Sequence, residues 1–171
     1  MADPFVEIVT ELQGADLHDL CDATDSAIID GGGFGWLSPP PRQTLERYWR
    51  GVLVIPDRTL FIGRVDGTVC GAAKLVRPPA NNEAQSSMAT LTSNFVAPWA
   101  RGQGVARMLS RAVVDEAAAQ GFRFLNLDVR ETQAIAIQHY EALGFECWGR
   151  NPNYAWVDGK PIAGRYYTKD L

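Results

Sequence analysis

Val96-Ala97-Pro98-Trp99-Ala100-Arg101-Gly102-Gln103-Gly104-Val105-Ala106 joins two segments of different period. Before it, Met88 to Val96 is rich in Thr, Leu and Phe and reads as a strand that Pro98 stops. After it, Val105, Met108, Leu109, Ala112, Val113 and Ala117 fall along one side of a helix over 104–120, terminated by Gly121. A second strand, 122–130, follows at once, so the region reads as a βαβ unit with parallel strands and a right-handed crossover. The bend between strand and helix has its own chemistry. Unpaired amides and the positive end of the helix dipole suit it to a phosphate or pyrophosphate, and Gly102 and Gly104 let the backbone approach an anion closely. Ala106 keeps the first turn free of bulk, while Arg101 and Arg107 add charge. Taken alone, the same bend also fits a tight connection that binds nothing. Two other phosphate motifs are excluded: Arg107 stands where G-x-G-x-x-G needs its third glycine, and no G-K-[ST] follows.

Outward from this unit the chain alternates strands and helices. Residues 5–12 read as a strand with Val6, Ile8 and Leu12 on one face, and 15–30 as a helix with Asp16 as its cap. Gly31 to Pro41 is too rich in glycine and proline for either element and reads as a lid or plain connection to a helix over 43–51. Residues 59–65 and 69–76 pair antiparallel through Asp66-Gly67. A helix over 133–143 ends at Gly144, and strands over 146–156, broken at Pro152, and 164–169 flank Asp158-Gly159. The expected class is a mixed α/β fold, with about six to seven strands, partly antiparallel and partly parallel, and about four helices.

Composition narrows the function. The chain has 171 residues, 46% hydrophobic and 21% charged, which suits a single core-forming domain over 1–171. A net charge of -4 removes broad attraction to nucleic acid or an anionic membrane. Cys21, Cys70 and Cys147 show no C-x-x-C spacing, so neither a disulfide framework nor a metal site is expected, and a cytoplasmic setting fits. No apolar run reaches the ~18 residues of a membrane helix, and Met1 to Pro4 does not open an export signal.

Arg101-Gly102-Gln103-Gly104-Val105-Ala106 resembles the R/Q-x-x-G-x-G/A signature of the GNAT superfamily of N-acetyltransferases, with Val96-x-Pro98 at its usual distance upstream. Gln133-Ala134-Ile135-Ala136-Ile137-Gln138-His139-Tyr140-Glu141-Ala142-Leu143-Gly144-Phe145 is similar to that family's N-x-x-A-x-x-x-Y-x-x-x-G-F segment, with Gln133 where the family often has Asn. These motifs cover residues 88–145, and the order of elements extends the likeness to the whole chain. The resemblance implies acetyl-CoA as co-substrate and a cleft where strands 88–96 and 122–130 splay apart. It implies pyrophosphate on the amides of Arg101, Gly102, Gln103, Gly104, Val105 and Ala106, and a cofactor hydrogen bond from Gln133. The pantetheine arm would pair with the backbone of Phe95 and Val96, where an N–H would polarise the thioester carbonyl, and Tyr140 would be the general acid.

Spacing adds support, since the seven residues from Gln133 to Tyr140 are two helical turns with only ~20° of drift. A phenol can give its proton to a departing thiolate only late in cleavage. The amine must also lose a proton, but strand 88–96 has no carboxylate, where many relatives have Glu. Asp128, on the face of Asn126 and Arg130, is the preferred base, with an ion pair to Arg130 or another neighbour as its equal alternative; Glu83 is a distant second. His18 and His139 read as helix positions outside the cleft. Phe34 and Trp36, with Tyr154, Trp156, Tyr166 and Tyr167, suit an acceptor pocket for a cationic amine or simple core packing. The leading expectation is direct acetyl transfer, without metal, to a small-molecule primary amine (amino acid, polyamine or antibiotic) rather than to a protein tail. A CoA-binding module without turnover and a regulatory domain binding another phosphate ligand are the alternatives. The resemblance leaves a homodimer open.

Overall fold

Asp66-Gly67 and Asp158-Gly159 both adopt left-handed backbone, with φ of 51° and 77° at the first pair and 51° and 76° at the second. Two such residues in succession match the twist of the strands they join, so each pair closes a tight hairpin. In the computed structural model, which describes residues 3–32 and 34–171, these hairpins form the two flanks of one sheet. The elements are β1 (Phe5–Val9), α1 (Asp16–Ile29), α2 (Arg42–Val54), β2 (Arg58–Val65), β3 (Thr68–Val76), β4 (Met88–Val96), α3 (Val105–Ala119), β5 (Phe124–Arg130), α4 (Ala134–Ala142), β6 (Glu146–Val157) and β7 (Lys160–Asp170). The seven strands lie in the order β1-β2-β3-β4-β5-β7-β6. β4 and β5 pair parallel, as the crossover through α3 requires, and the other neighbours pair antiparallel.

Alternation along the strands builds two cores. Leu60, Ile62 and Ala72 turn toward α1 and α2, where they meet Leu20, Leu45 and Trp49. Phe61, Ala73 and Leu75 turn the other way, onto Leu109 and Val113 of α3 and Ile137 and Tyr140 of α4. Burying the leucine, isoleucine, valine and phenylalanine side chains among these is worth roughly 1.5–3 kcal/mol each, which is what fixes the register.

Several expectations are corrected. Asp16 does not cap α1: Ala15 holds the N-cap position without a side-chain bond, and the Asp16 carboxylate instead accepts both arms of Arg64 at 2.8 and 2.9 Å. That guanidinium holds the Asp16 carboxyl below its ordinary range. β1 ends at Val9, short of Leu12, and of the residues read on one face Val6 packs against the core while Ile8 is exposed. Pro152 does not break β6; it falls in a bulge, where the register with β7 jumps from Asn151↔Gly164 to Ala155↔Ile162. β6 is the opposite edge strand, so the missing proline N–H costs no ladder bond to a neighbour. β7 also starts earlier than expected, at Lys160.

Candidate active site

β4 and β5 pair only at Met88↔Phe124, Ala89↔Leu125 and Thr90↔Asn126. Beyond Thr90, β4 carries a bulge: Lys74 lies opposite Thr92 and Ala72 opposite Phe95, so Ser93 and Asn94 together face Ala73. Ser93 takes φ 51° to make it. Bulges bend the strand that holds them, and here the two parallel strands part around a cleft of about 450 Å³, walled by residues 91–94, residues 127–130 and Tyr140. The freed edge of β4 offers main-chain groups. Ala97 N–H donates to the Cys70 carbonyl at 2.7 Å, so antiparallel alternation aims the Phe95 amide at β3 and the Val96 amide into the gap. Of the two residues expected to meet the pantetheine arm, Val96 presents its backbone there. Phe95 contributes packing, with its ring 4.8 Å from Phe34.

The glycine bend follows β4 directly. Gly102 and Gly104 have φ of 80° and 81°, and a Cβ at either would meet open space. The first bond of α3 runs from Met108 N–H to the Gly104 carbonyl, 3.0 Å, so the amides of Val105, Ala106 and Arg107 have no carbonyl one turn below them. Arg101 to Gly104 are exposed, Val105 is buried in the core and Ala106 is half-buried. The Arg101 side chain is held by the Asp30 carboxylate at the end of α1.

Tyr140 is 7% exposed, and its oxygen lies 3.3 Å from the Asn94 amide nitrogen. That nitrogen also lies 2.7 Å from Ser110 Oγ, which itself donates to the Ala106 carbonyl at 3.0 Å. Asn94 therefore acts as donor in both directions, and the Tyr140 oxygen accepts, leaving its own proton unspent. Burial pushes the phenol up to about 12, and the Asn94 amide partly offsets this. Asn94 Oδ1 is buried and has no hydrogen-bond partner among the described residues.

Asp128 occupies the other face of the sheet, away from α4, because Leu125 and Leu127 take the buried positions facing α3 and α4. It does not pair with Arg130. Its carboxylate accepts from the Tyr154 hydroxyl, and burial together with that carboxylate pushes the Tyr154 phenol upward. Tyr154 reaches across because β7 has Gly164 beneath it; a Cβ there would lie 2.1 Å from the ring. Glu83 is exposed in a short turn before β4, at the strand end opposite the cleft. Tyr154 and Trp156 line the cleft; Tyr167 is fully buried with its hydroxyl 2.9 Å from Glu141, and Tyr166 packs against Trp148.

The glycine-rich segment after α1 is tethered over this site. Gln133, at the N-cap of α4, donates its side-chain amide to the Gly31 carbonyl at 2.6 Å. Arg130 donates to the Phe34 carbonyl. Phe34 is buried and lines the cleft, whereas Trp36 packs on Tyr48 at 5.2 Å, outside the lining. Gly33 lies outside the described residues. The residues that sequence reasoning missed are Asn94 and Ser110; the one signal was Ser93-Asn94 itself, two poor strand formers inside a strand. Among the described residues no group of three or more His, Cys, Asp or Glu could hold a metal ion, and no helix is long and apolar enough to cross a membrane.

Residues 21–145 match the profile of the acetyltransferase (GNAT) family. An uncharacterized N-acetyltransferase encoded in the hisH–hisA intergenic region of Azospirillum brasilense is 62% identical over 133 residues, which are 78% of this chain and 79% of that protein. An N-acetyltransferase of Staphylococcus aureus Mu50 superposes with a TM-score of 0.83 at 19% identity, covering 98% of each chain. The yncA acetyltransferase of Salmonella typhimurium, solved with acetyl-CoA, superposes with a TM-score of 0.80 at 15% identity, covering 99% of this chain and 94% of that one.

Proposed function

The chain belongs to the GNAT family of acetyltransferases, an acetyl-CoA-dependent acyltransferase, and from that premise we propose that it acetylates the primary amine of a small molecule by direct attack. The observation that carries the reading is the gap between β4 and β5 past Thr90, with the Tyr140 hydroxyl on one side of the sheet and Asp128 on the other. The Arg101 N–H is already donated to the Pro98 carbonyl at 3.3 Å, so the amides from Gly102 to Ala106 hold the pyrophosphate of acetyl-CoA, with the N-terminus of α3 favouring its charge. The Val96 N–H, aimed into the gap, stabilises the oxyanion as the amine nitrogen adds to the thioester carbon.

Acid and base must serve different atoms of that tetrahedral intermediate, which is why opposite faces suit them. Asp128 takes the proton of the attacking nitrogen. As the C–S bond breaks, the electron pair stays with sulfur, and Tyr140 donates to it. A phenol at about 12 lies well above a thiol near ~8.5, so Tyr140 stabilises the thiolate by a hydrogen bond as it forms. Net proton transfer to give CoA thiol is completed by the proton that the amine releases. Gln133 serves the cofactor by exchanging its bond to the Gly31 carbonyl for one to acetyl-CoA. Phe34, Gly35 and Leu37 wall one side of the cleft, which favours a small acceptor over a protein tail. Three free cysteines fit a cytoplasmic enzyme.

Free thiol release from acetyl-CoA across a panel of primary amines tests the reading. Release with at least one amine, slowed by Tyr140→Phe with CoA binding intact, supports it. CoA binding without thiol release for any amine would indicate a binding module.

A further inference from the structure

Lys74 is 6% exposed and enters no ion pair among the described residues. A buried ammonium without an anion is costly, and neutral oxygens or a ring face offset only part of that cost. What Lys74 does have is a chain of hydroxyls. Its Nζ donates to Tyr48 Oη at 2.7 Å and lies 5.0 Å from the centre of the same ring. Tyr48 Oη is in turn 3.3 Å from Ser93 Oγ.

The chain has a direction. A lysine ammonium can only donate, so the Tyr48 oxygen accepts and its proton turns to Ser93, whose own proton is then free to donate onward. Ser93 sits on the bulge of β4 and lines the cleft beside Thr92. Thr92 is in register with Lys74 on β3, and its Oγ1 is buried with no hydrogen-bond partner among the described residues. A buried positive charge thus polarises one hydroxyl donor at the cleft wall next to a second hydroxyl that lacks a partner. Across the cleft stands Asp128, the one carboxylate among its lining residues.

We propose that Ser93 and Thr92, backed by Tyr48 and Lys74, form a carboxylate subsite, and that the acceptor is a free amino acid whose amino group lies at Asp128. The inference rests on the acetyl-transfer reading of the same cleft and names its substrate class. It narrows the small-molecule amine acceptor to one member of the expected set. Ser93 and Thr92 touch the substrate; Tyr48 and Lys74 are positioning residues that act through Ser93.

The test compares matched acceptors, each amino acid against its primary amide and its decarboxylated amine, by thiol release from acetyl-CoA. The expected result is a kcat/KM at least tenfold higher for the acid of the best set. Tyr48→Phe, which keeps the ring and removes the relay, should raise KM for the acid about tenfold and leave the amide and acetyl-CoA within about twofold; Lys74→Met should do the same. Equal rates for acid and amide, or an equal loss on both in Tyr48→Phe, overturn the subsite while leaving acetyl transfer standing. If no amine releases thiol, acetyl transfer falls and calorimetry decides the subsite, with N-acetylated amino acids as probes against their amides. Heat for the acid that Tyr48→Phe abolishes upholds it; no heat, or the same heat in both proteins, overturns it.

Discussion

The side-chain amide of Asn94 donates to the Tyr140 hydroxyl across 3.3 Å, joining the bulge of β4 to the second turn of α4. Since Asn94 donates, Tyr140 has to offer its own proton elsewhere. Replacing that donor with an acceptor, in Asn94→Asp, lets the carboxylate accept a hydrogen bond from the Tyr140 hydroxyl and so occupies its proton. We expect kcat to fall by about 10- to 100-fold with little change in KM for acetyl-CoA, measured by steady-state thiol release.

Tyr140→Phe removes the donor but keeps the ring that packs against Phe145, 5.8 Å between centroids. The expected loss in kcat is on the order of 10²-fold, with CoA affinity within about twofold of the parent by calorimetry. A loss of binding of the same size as the loss in turnover would remove Tyr140 from the chemistry.

The same phenol sets a pH dependence of stability. Its folded value of about 12 lies above the ordinary ~10 of an unfolded tyrosine. Folding therefore favours the protonated form. The contribution is complete below pH ~10 and is lost as pH rises from there toward 12, by up to ~1.4 kcal/mol per pH unit for this one group. Urea unfolding at pH 9 and pH 11 should show a smaller loss in Tyr140→Phe than in the parent.

Gly164→Ala places a methyl carbon where the Tyr154 ring now lies, 2.1 Å from its Cγ. Such overpacking costs about 1–3 kcal/mol and pushes Tyr154 away from Asp128. We expect a raised KM for the amine, an unchanged Kd for CoA, and a lower urea midpoint.

Gly104→Glu tests the bend. Its φ of 81° disfavours any side chain, and the carboxylate would compete with a pyrophosphate for the same amides. Calorimetry should record CoA affinity weakened by ~100-fold or more, while Gly104→Ala, which carries the backbone strain without the charge, should weaken it far less. Equal affinity in Gly104→Glu and the parent would place the phosphate elsewhere.

Much of the architecture is readable from short windows of the chain. The strand, glycine bend and helix over 88–119 declare themselves by a change of period, and Asp66-Gly67 and Asp158-Gly159 by the left-handed turn each can adopt. Tyr140 stands out because the segment around it repeats a known pattern. These signals act over a few residues, where φ/ψ preference and side-chain periodicity decide the outcome.

Only the tertiary structure decided which side chains meet. Arg101 and Gln133, read as cofactor residues, also hold Asp30 and Gly31, 71 and 102 residues away along the chain. Asp128 meets Tyr154 rather than Arg130 because the bulge at Pro152 and the bare Gly164 aim that ring across the sheet. Lys74 finds Tyr48 because α2 packs against β2 on the same face of the sheet that Lys74 takes on the neighbouring β3. Such pairs depend on strand order and on which face each residue takes once two cores compete for it. Composition and local pattern carry the hydrophobic preference that drives this choice, but the partner exists only after the sheet has closed.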